Sequence, residues 1–359
     1  MAEQLTDRER QILEAVIRAY VETAEAAGSR TIARRFELGV SPATVRNTMA
    51  DLEEKGFLFH THTSAGRIPT DRAYRYFVDD MMRPLPLSES DRRRLSEELA
   101  HGDATHPLER LLRRAAHALG LVTGELGLVV SPRLDHTILE KLELVALSSD
   151  KVLLVLTLGK GVVRTVYVDL PGRVPAETLA AVSHVLNERL AGHTLAEIRQ
   201  TLPDRLRDTG PTGDPAGELL NIFLQSASEM FEPAGLTREE LMLGRTSVLA
   251  NQPEFNDEAR LRNLIELTEE RDLLTSVLAD REVGPRLHVT IGSEHASPRL
   301  TDFTLVTSTY RIGGTSGVIG VIGPTRMPYE KIASIVTSAS ALVSQVLGDE
   351  ATGDTEDDE

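Results

Sequence analysis

The sequence predicts an α+β chain. An N-terminal set of helices is closed by a short hairpin, and a longer C-terminal part follows in which strands and helices come in blocks. Three observations carry this. Residues 6–56 hold three helix starts and stops in succession. Residues 57–69 switch to an aromatic run, a glycine and a short return. Three β-rich runs, "ILEKLELVAL", "KVLLVLTL" and "GVVRTVYVDL", stand side by side with only short turns between them, the pattern of an antiparallel meander.

The first helix opens on Thr6-Asp7-Arg8-Glu9, a capping box. Ile12, Leu13, Val16, Ile17, Tyr20 and Val21 then recur at helical spacing, and Gly28 is the expected stop. Ser29 caps a short second helix that turns Ile32, Ala33 and Phe36 inward. Gly39 supplies a turn. Ser41-Pro42 is an N-cap followed by proline at the first helical position, the strongest start signal in the chain. The third helix stops at Lys55-Gly56. Phe57–His60 forms one arm of the hairpin, Ser64-Ala65-Gly66 its tip, and Arg67-Ile68-Pro69 the return. Thr70 opens another helix, with Tyr74, Phe77, Val78 and Met81 on one face, ending before Pro84 and Pro86. The Pro- and charge-rich stretch that follows predicts a linker over 85–104.

A helix is expected near 107–122, then a strand in "ELGLVVSP", then the meander. Residues 175–242 read as mostly helical, with a loop at "DTGPTGDPAG". One charged helix, "DEARLRNLIELTEERDLLTSVL", precedes strands in "RLHVTIGSE", "FTLVTSTYRI" and "GVIGVIGPTR". A last amphipathic helix spans about 328–347. Asp349–Glu359 holds seven acidic residues and no basic one, and 348–359 is expected to be a disordered tail.

Composition narrows the function. The absence of cysteine among 359 residues excludes disulfides, thiolate nucleophiles and cysteine metal sites. No stretch resembles a signal peptide or a membrane helix, so the expected location is the cytoplasm and no membrane partner is expected. The formal charge is -16, but it is unevenly spread: residues 29–75 carry eight Lys/Arg against five Asp/Glu. Phosphate binding needs local positive charge only, so the acidic total confines a nucleic-acid surface to this segment without excluding it.

On the third helix, Val45, Met49 and Leu52 share one face, while Ala43, Asn47 and Ala50 lie opposite with Thr44 and Arg46 on the flanks. Small residues allow close approach to a groove. Asn reads adenine and Arg reads guanine, each through two hydrogen bonds. Ser41 and the free N–H groups at the helix start suit a phosphate. In the hairpin, Arg67 is placed for a minor groove or a phosphate, and His60, His62, Thr63 and Ser64 are donors. Three helices and a hairpin in this order make a winged helix-turn-helix, expected over residues 1–84. Arg30, Arg34 and Arg35 are further phosphate candidates, or merely solvate the second helix. Winged helices also serve as protein-interaction modules, and that alternative stays open.

"SPATVRNTMADLEEKGFLFHTHTSAGRIPTDRAYRYFVD" closely resembles the signature of the heat-inducible transcription repressor HrcA family of bacteria, and "GVIGVIGPTRMPYEKI" resembles its C-terminal signature. "ERQILEAVIRAYVETAEAAGSRTIARR" fits the family's first two helices, so the resemblance covers the chain except its tail. There are three departures: Thr61 replaces a usual Pro, Ala73 a usual Gly, and Ala26-Ala27 a frequent Pro-Val. All three concern chain stiffness or turn geometry. The resemblance implies a homodimeric repressor of heat-shock chaperone operons. It implies binding to double-stranded DNA at an inverted-repeat (CIRCE-type) operator and modulation by a GroEL-type chaperonin. It implies a GAF-like α/β domain, expected over 105–135 and 243–347, interrupted by an inserted dimerisation domain over 136–242, an antiparallel sheet flanked by helices.

Enzymatic readings lack a motif. There is no H-E-x-x-H, phosphate loop or G-x-S-x-G. No catalytic residue, metal or cofactor is expected. Gly314, Gly317, Gly320 and Gly323 are not spaced for a dinucleotide, and Lys160 is followed by Gly161, not by Ser or Thr. Arg326 is expected to pair with a carboxylate. The alternative to a chaperonin-modulated repressor is a regulator that senses a small ligand through its GAF-like domain.

Overall fold

A computed structural model describes residues 5–60, 66–83, 85–100, 107–132, 137–148, 150, 151–159, 162–170, 172–206, 215–225, 241–250, 252–279, 281, 287–312 and 315–349. The N-terminal head comprises α1 (Asp7–Thr23), α2 (Ser29–Arg35), α3 (Pro42–Glu54), β1 (Leu58–Phe59), β2 (Ile68–Pro69) and α4 (Asp71–Tyr76). The Thr6–Glu9 capping box is present. α1 stops at Thr23, earlier than the sequence suggests. Ala24 takes a left-handed conformation at φ 56°, and its N–H closes on Tyr20 O at 2.9 Å. The reason lies in the hairpin. Ala27 and Arg67 exchange two backbone hydrogen bonds of 2.9 Å, which draws residues 25–27 out of the helix. Gly28 then serves as the N-cap of α2. Gly66 permits this approach, because a Cβ there would lie 2.4 Å from Ala26 O. Burial of Ile12, Leu13, Val16, Ile17, Ile32, Val45, Met49, Leu52, Phe57, Leu58, Tyr74 and Phe77 makes one core under these elements. Ala33 and Phe36, expected to turn inward, are half-buried. A π-helical turn, Phe77–Met81, ends α4.

The expected linker carries a helix, α5 (Glu89–Ala100). Ser88 Oγ accepts the Asp91 N–H at 3.1 Å, Arg93 pairs with Glu97 one turn on, and Leu95 and Leu99 are buried. The Pro and charge content masked two leucines four residues apart. α6 (Pro107–Thr123), which packs against α5, and β3 (Leu126–Val130) follow.

The meander is as expected. β4 (Leu139–Ala146), β5 (Lys151–Leu158) and β6 (Val162–Asp169) pair antiparallel in that order. One face buries Leu142, Val152, Leu154, Leu156 and Leu158. α7 (Ala176–Leu190), α8 (Leu195–Arg205) and α9 (Pro215–Gln225) come next. Asn187 of α7 accepts the Leu142 N–H at 2.8 Å, satisfying an edge of the sheet. β7 (Leu241–Leu243) and α10 (Ser247–Ala250) lead to α11 (Glu258–Glu269) and α12 (Arg271–Ala279). The single charged helix of the sequence reading is thus two, broken at Glu270 with ψ 64°. Strands β8 (Leu287–Ile291), β9 (Phe303–Ile312) and β10 (Thr315–Pro324) and helix α13 (Tyr329–Asp349) complete the chain. A five-stranded sheet has the order β7-β3-β10-β9-β8.

The chain divides into two compact units. One comprises Met1–Val129, Leu243–Ser308 and Ile319–Ser340, and so includes the head. The other comprises Val130–Met242, Thr309–Val318 and Ala341–Glu359.

Candidate nucleic-acid interface

α3 is built as a helix with one committed and one idle face. Ser41 Oγ accepts the Thr44 N–H at 3.1 Å, and Pro42 follows at the first helical position. Val45, Thr48, Met49 and Leu52 are buried. Ala43, Arg46 and Asn47 are exposed and Thr44 is half-buried. Among the described residues, neither Arg46 nor Asn47 has an ion-pair or side-chain hydrogen-bond partner. Ser41 also contacts Thr44 Oγ1 at 3.0 Å, so its hydroxyl serves its own helix. On α2, Arg30 and Arg34 are exposed, again without an ion-pair partner among the described residues. Arg35 differs: it pairs with Glu22 and lies 5.7 Å from the Phe36 ring. Arg30, Thr31, Arg34, Arg35 and Pro42 line a recess of ≈ 630 Å³. Exposed cations without acidic partners around a capped helix start form an anion-attracting surface.

The hairpin pairs Leu58 with Pro69 and Phe59 with Ile68. Arg67 lies one residue beyond the Phe59–Ile68 pair, on the loop side of the hairpin. Its Nε is 2.7 Å from a Glu53 carboxylate oxygen, an ion-pair approach without hydrogen-bond alignment. The same carboxylate meets His60 Nδ1. Glu53 thereby ties both wing residues to α3. Sequence reading missed it because Glu53 looks like any charge on a solvated helix end. It also missed Arg72, which donates to Lys55 O at 2.7 Å and stacks 4.5 Å from the Phe57 ring. His62, Thr63 and Ser64 lie outside the described residues.

Comparison with known proteins agrees with this geometry. The LexA DNA binding domain family matches residues 2–66. The HrcA protein C-terminal domain family matches residues 109–333. The heat-inducible transcription repressor HrcA of Chlorobium phaeobacteroides strain BS1 is 37% identical over 356 residues, covering 97% of this chain and 99% of the relative. The chain belongs to the HrcA family of heat-inducible transcription repressors. The HrcA of Chlorobium chlorochromatii is 37% identical over 351 residues and that of Chlorobaculum tepidum 36% over 353. A crystal structure of a hypothetical protein shares the fold, with a TM-score of 0.66 at 21% identity over 97% of this chain and all of that one. HrcA is a family of transcription regulators, not of enzymes, and the match to the LexA DNA binding domain takes in α1 to β1 and stops just short of β2. Among the described residues, no helix is long and apolar enough to cross a membrane, and no cluster of His, Asp and Glu is placed to hold a metal.

The far side of the HrcA head is held by carboxylates. Arg18 of α1 donates to both Glu330 oxygens at 3.0 and 3.1 Å. Arg75 of α4 donates to both Glu294 oxygens at 2.6 Å and to Val289 O at 2.6 Å. Asp71 accepts the Ser293 N–H at 2.9 Å. Gly292, at φ 48°, makes room for it, since a Cβ would sit 2.2 Å from the Asp71 carboxylate. Arg326 pairs with Glu254 as the sequence suggests, and its Nη1 also donates to Val21 O of α1 at 2.6 Å. Burial pushes the Glu294 carboxyl up, but hydrogen bonds from Arg75 and Ile291 N–H outweigh it and hold the group below the usual range. Close to Glu254, Glu125 is buried and pushed up to about 8 by desolvation, while Gln252 donates to it at 2.9 Å.

Proposed function

We propose that this chain is a sequence-specific repressor of heat-shock chaperone operons that binds an inverted-repeat, CIRCE-type operator as a homodimer. The observation that carries the reading is the idle face of α3: Arg46 and Asn47 stand exposed, and unpartnered among the described residues, on a capped helix. α3 enters the major groove. Asn47 and Arg46 contact base edges, and Ser41 and Thr44 sit at the helix start beside a phosphate. Arg30 and Arg34 neutralise neighbouring phosphates, and Arg35 does so only by leaving Glu22. The wing adds Arg67, His62 and Ser64.

Two heads on a symmetric dimer would read two half-sites, so the operator's repeat mirrors the protein. The dimer contact is assigned to the inserted domain, 136–242. In support, the meander's outer face exposes Val145, Val163 and Tyr167, each 46–53% exposed, with Val145 and Tyr167 both opposite Leu153. Residues 105–135 and 243–347 are assigned as the GAF-like domain, and 348–359 as an acidic tail. A GroEL-type chaperonin maintains the DNA-competent fold, and heat that diverts the chaperonin releases the operon.

The test is fluorescence anisotropy with a labelled inverted-repeat duplex against a scrambled one, before and after mild heating, with and without chaperonin. Preferential binding that saturates at one dimer per duplex, is lost on heating and returns with chaperonin is the expected result. Binding without preference under all conditions would favour a protein-interaction module.

A further inference from the structure

The C-terminal part holds a buried positive charge that no carboxylate among the described residues balances. Arg281 is 9% exposed. Its guanidinium donates to Thr307 Oγ1 at 3.1 Å and to Thr290 Oγ1 at 2.6 Å. Both acceptors are neutral, and among the described residues no carboxylate pairs with it. Burial alone acts on the group and pulls it down to about 10. Buried guanidinium groups in folded proteins are held by an anion, and one that is not needs an explanation.

The setting has the form of a site. In the β8–β9 register His288 faces Thr307, and Thr290 lies two residues along β8, so all three side chains share one face. β8 is the edge strand of its sheet. Thr307 is buried, Thr290 half-buried and His288 exposed, so polar groups run from the surface down to Arg281. His288 Nδ1 lies 3.4 Å from the Thr290 hydroxyl. His295, 7% exposed, has an Nε2 without a partner, while its ring is hydrogen-bonded to the backbone of Phe303 and Thr290. Burial first, and then the charge of Arg281, hold both imidazoles below their usual range, His295 at about 4. Glu294, the carboxylate whose charge reaches both imidazoles, is already bound by Arg75 and the Ile291 N–H. Among the described residues the cluster therefore brings Arg281 two hydroxyl acceptors and no free carboxylate.

We infer that Arg281, Thr290, Thr307 and His288 form a binding site for a small oxyanion, the carboxylate or phosphate group of a small molecule. Arg281 supplies the charge and the paired N–H groups that recognise such a group. The threonine hydroxyls turn with their acceptor, and His288 marks the entrance. The site lies on the strand whose Val289 carbonyl receives Arg75 of the head.

The test is calorimetric titration of the full-length protein with inorganic phosphate and, separately, with acetate, over a chloride background of matched ionic strength. One saturable event is expected with one of the two anions, and the responding anion identifies the group. It should vanish in Arg281→Met and weaken at least about tenfold in Arg281→Lys, which keeps the charge but loses the fork. It should persist in Arg34→Ala, which removes a head cation. Absence of saturable binding by either anion, equal binding in Arg281→Met, or loss in Arg34→Ala would overturn the inference. Should Arg281→Met not fold, Arg281→Lys decides alone, and undiminished binding there overturns it.

Discussion

The head carries two sets of arginines with opposite lives. Arg30, Arg34 and Arg46, on α2 and α3, are exposed and without acidic partners among the described residues. Arg18 and Arg75, on α1 and α4, each meet a carboxylate through two hydrogen bonds. The residue type is the same and the positions are a few turns apart. What differs is whether the protein has already supplied the anion. A guanidinium already held by a carboxylate has little left to offer a phosphate, whereas an idle one lowers the free energy of DNA binding by releasing counterions. Pairing, rather than composition, separates the reading face from the holding face.

The contrast is broken most severely at Arg326. Arg326→Ala leaves Glu254, whose side chain is 13% exposed, without its counter-charge and Val21 O without its donor. It should cost about 3–5 kcal/mol in urea denaturation, with operator selectivity of the remaining folded protein unchanged. A stability loss below about 1 kcal/mol would mean the holding face is not what fixes the head.

Glu125 tests the same region through pH. Its folded-state value, about 8, is above the ordinary 4.5. The folded state therefore keeps a proton that the unfolded chain has lost. The stabilisation is full below about pH 4.5 and disappears as pH rises through about 8. Glu125→Gln should flatten this decline between pH 5 and 8 in urea melts, and an unchanged slope would contradict the buried neutral acid. His295, lowered to about 4, acts in the opposite sense, opposing the fold as pH falls from about 6.5.

On the reading face, Asn47→Ala should reduce discrimination between operator and scrambled duplex by ~1–3 kcal/mol, with no change in melting temperature. Arg34→Ala should weaken both duplexes alike and reduce the salt slope by about 0.9. The smallest effect is expected at Glu53. Glu53→Gln frees Arg67 and should raise affinity for scrambled DNA slightly, steepening the salt dependence; lower affinity would show that Glu53 positions the wing instead.

Much of the fold is legible from local chemistry. The Thr6 capping box, the Ser41-Pro42 start and the alternating leucines and valines of β5 each specify their element within a few residues. The failures have long-range causes. α1 stops early because Arg67, forty residues on, pairs with Ala27. α5 forms because Leu95 and Leu99 find a partner in α6, which a count of charges does not reveal. The idle residues Arg46 and Asn47 are visible from helical phase alone. The engaged ones are not: nothing in the sequence around Arg18 or Arg75 announces carboxylates more than two hundred residues away. Arg326 is the exception, and only its pairing is legible, not its reach to Val21 O.

The most direct measurement compares two variants on one duplex pair. Anisotropy titrations of Asn47→Ala and Arg18→Ala, with inverted-repeat and scrambled DNA across salt, separate the two faces. The reading face predicts that Asn47→Ala loses preference for the repeat while keeping its salt slope. The holding face predicts that Arg18→Ala keeps its preference. Loss of preference in Arg18→Ala together with retention in Asn47→Ala would contradict the division of the head into a face that reads and a face that holds.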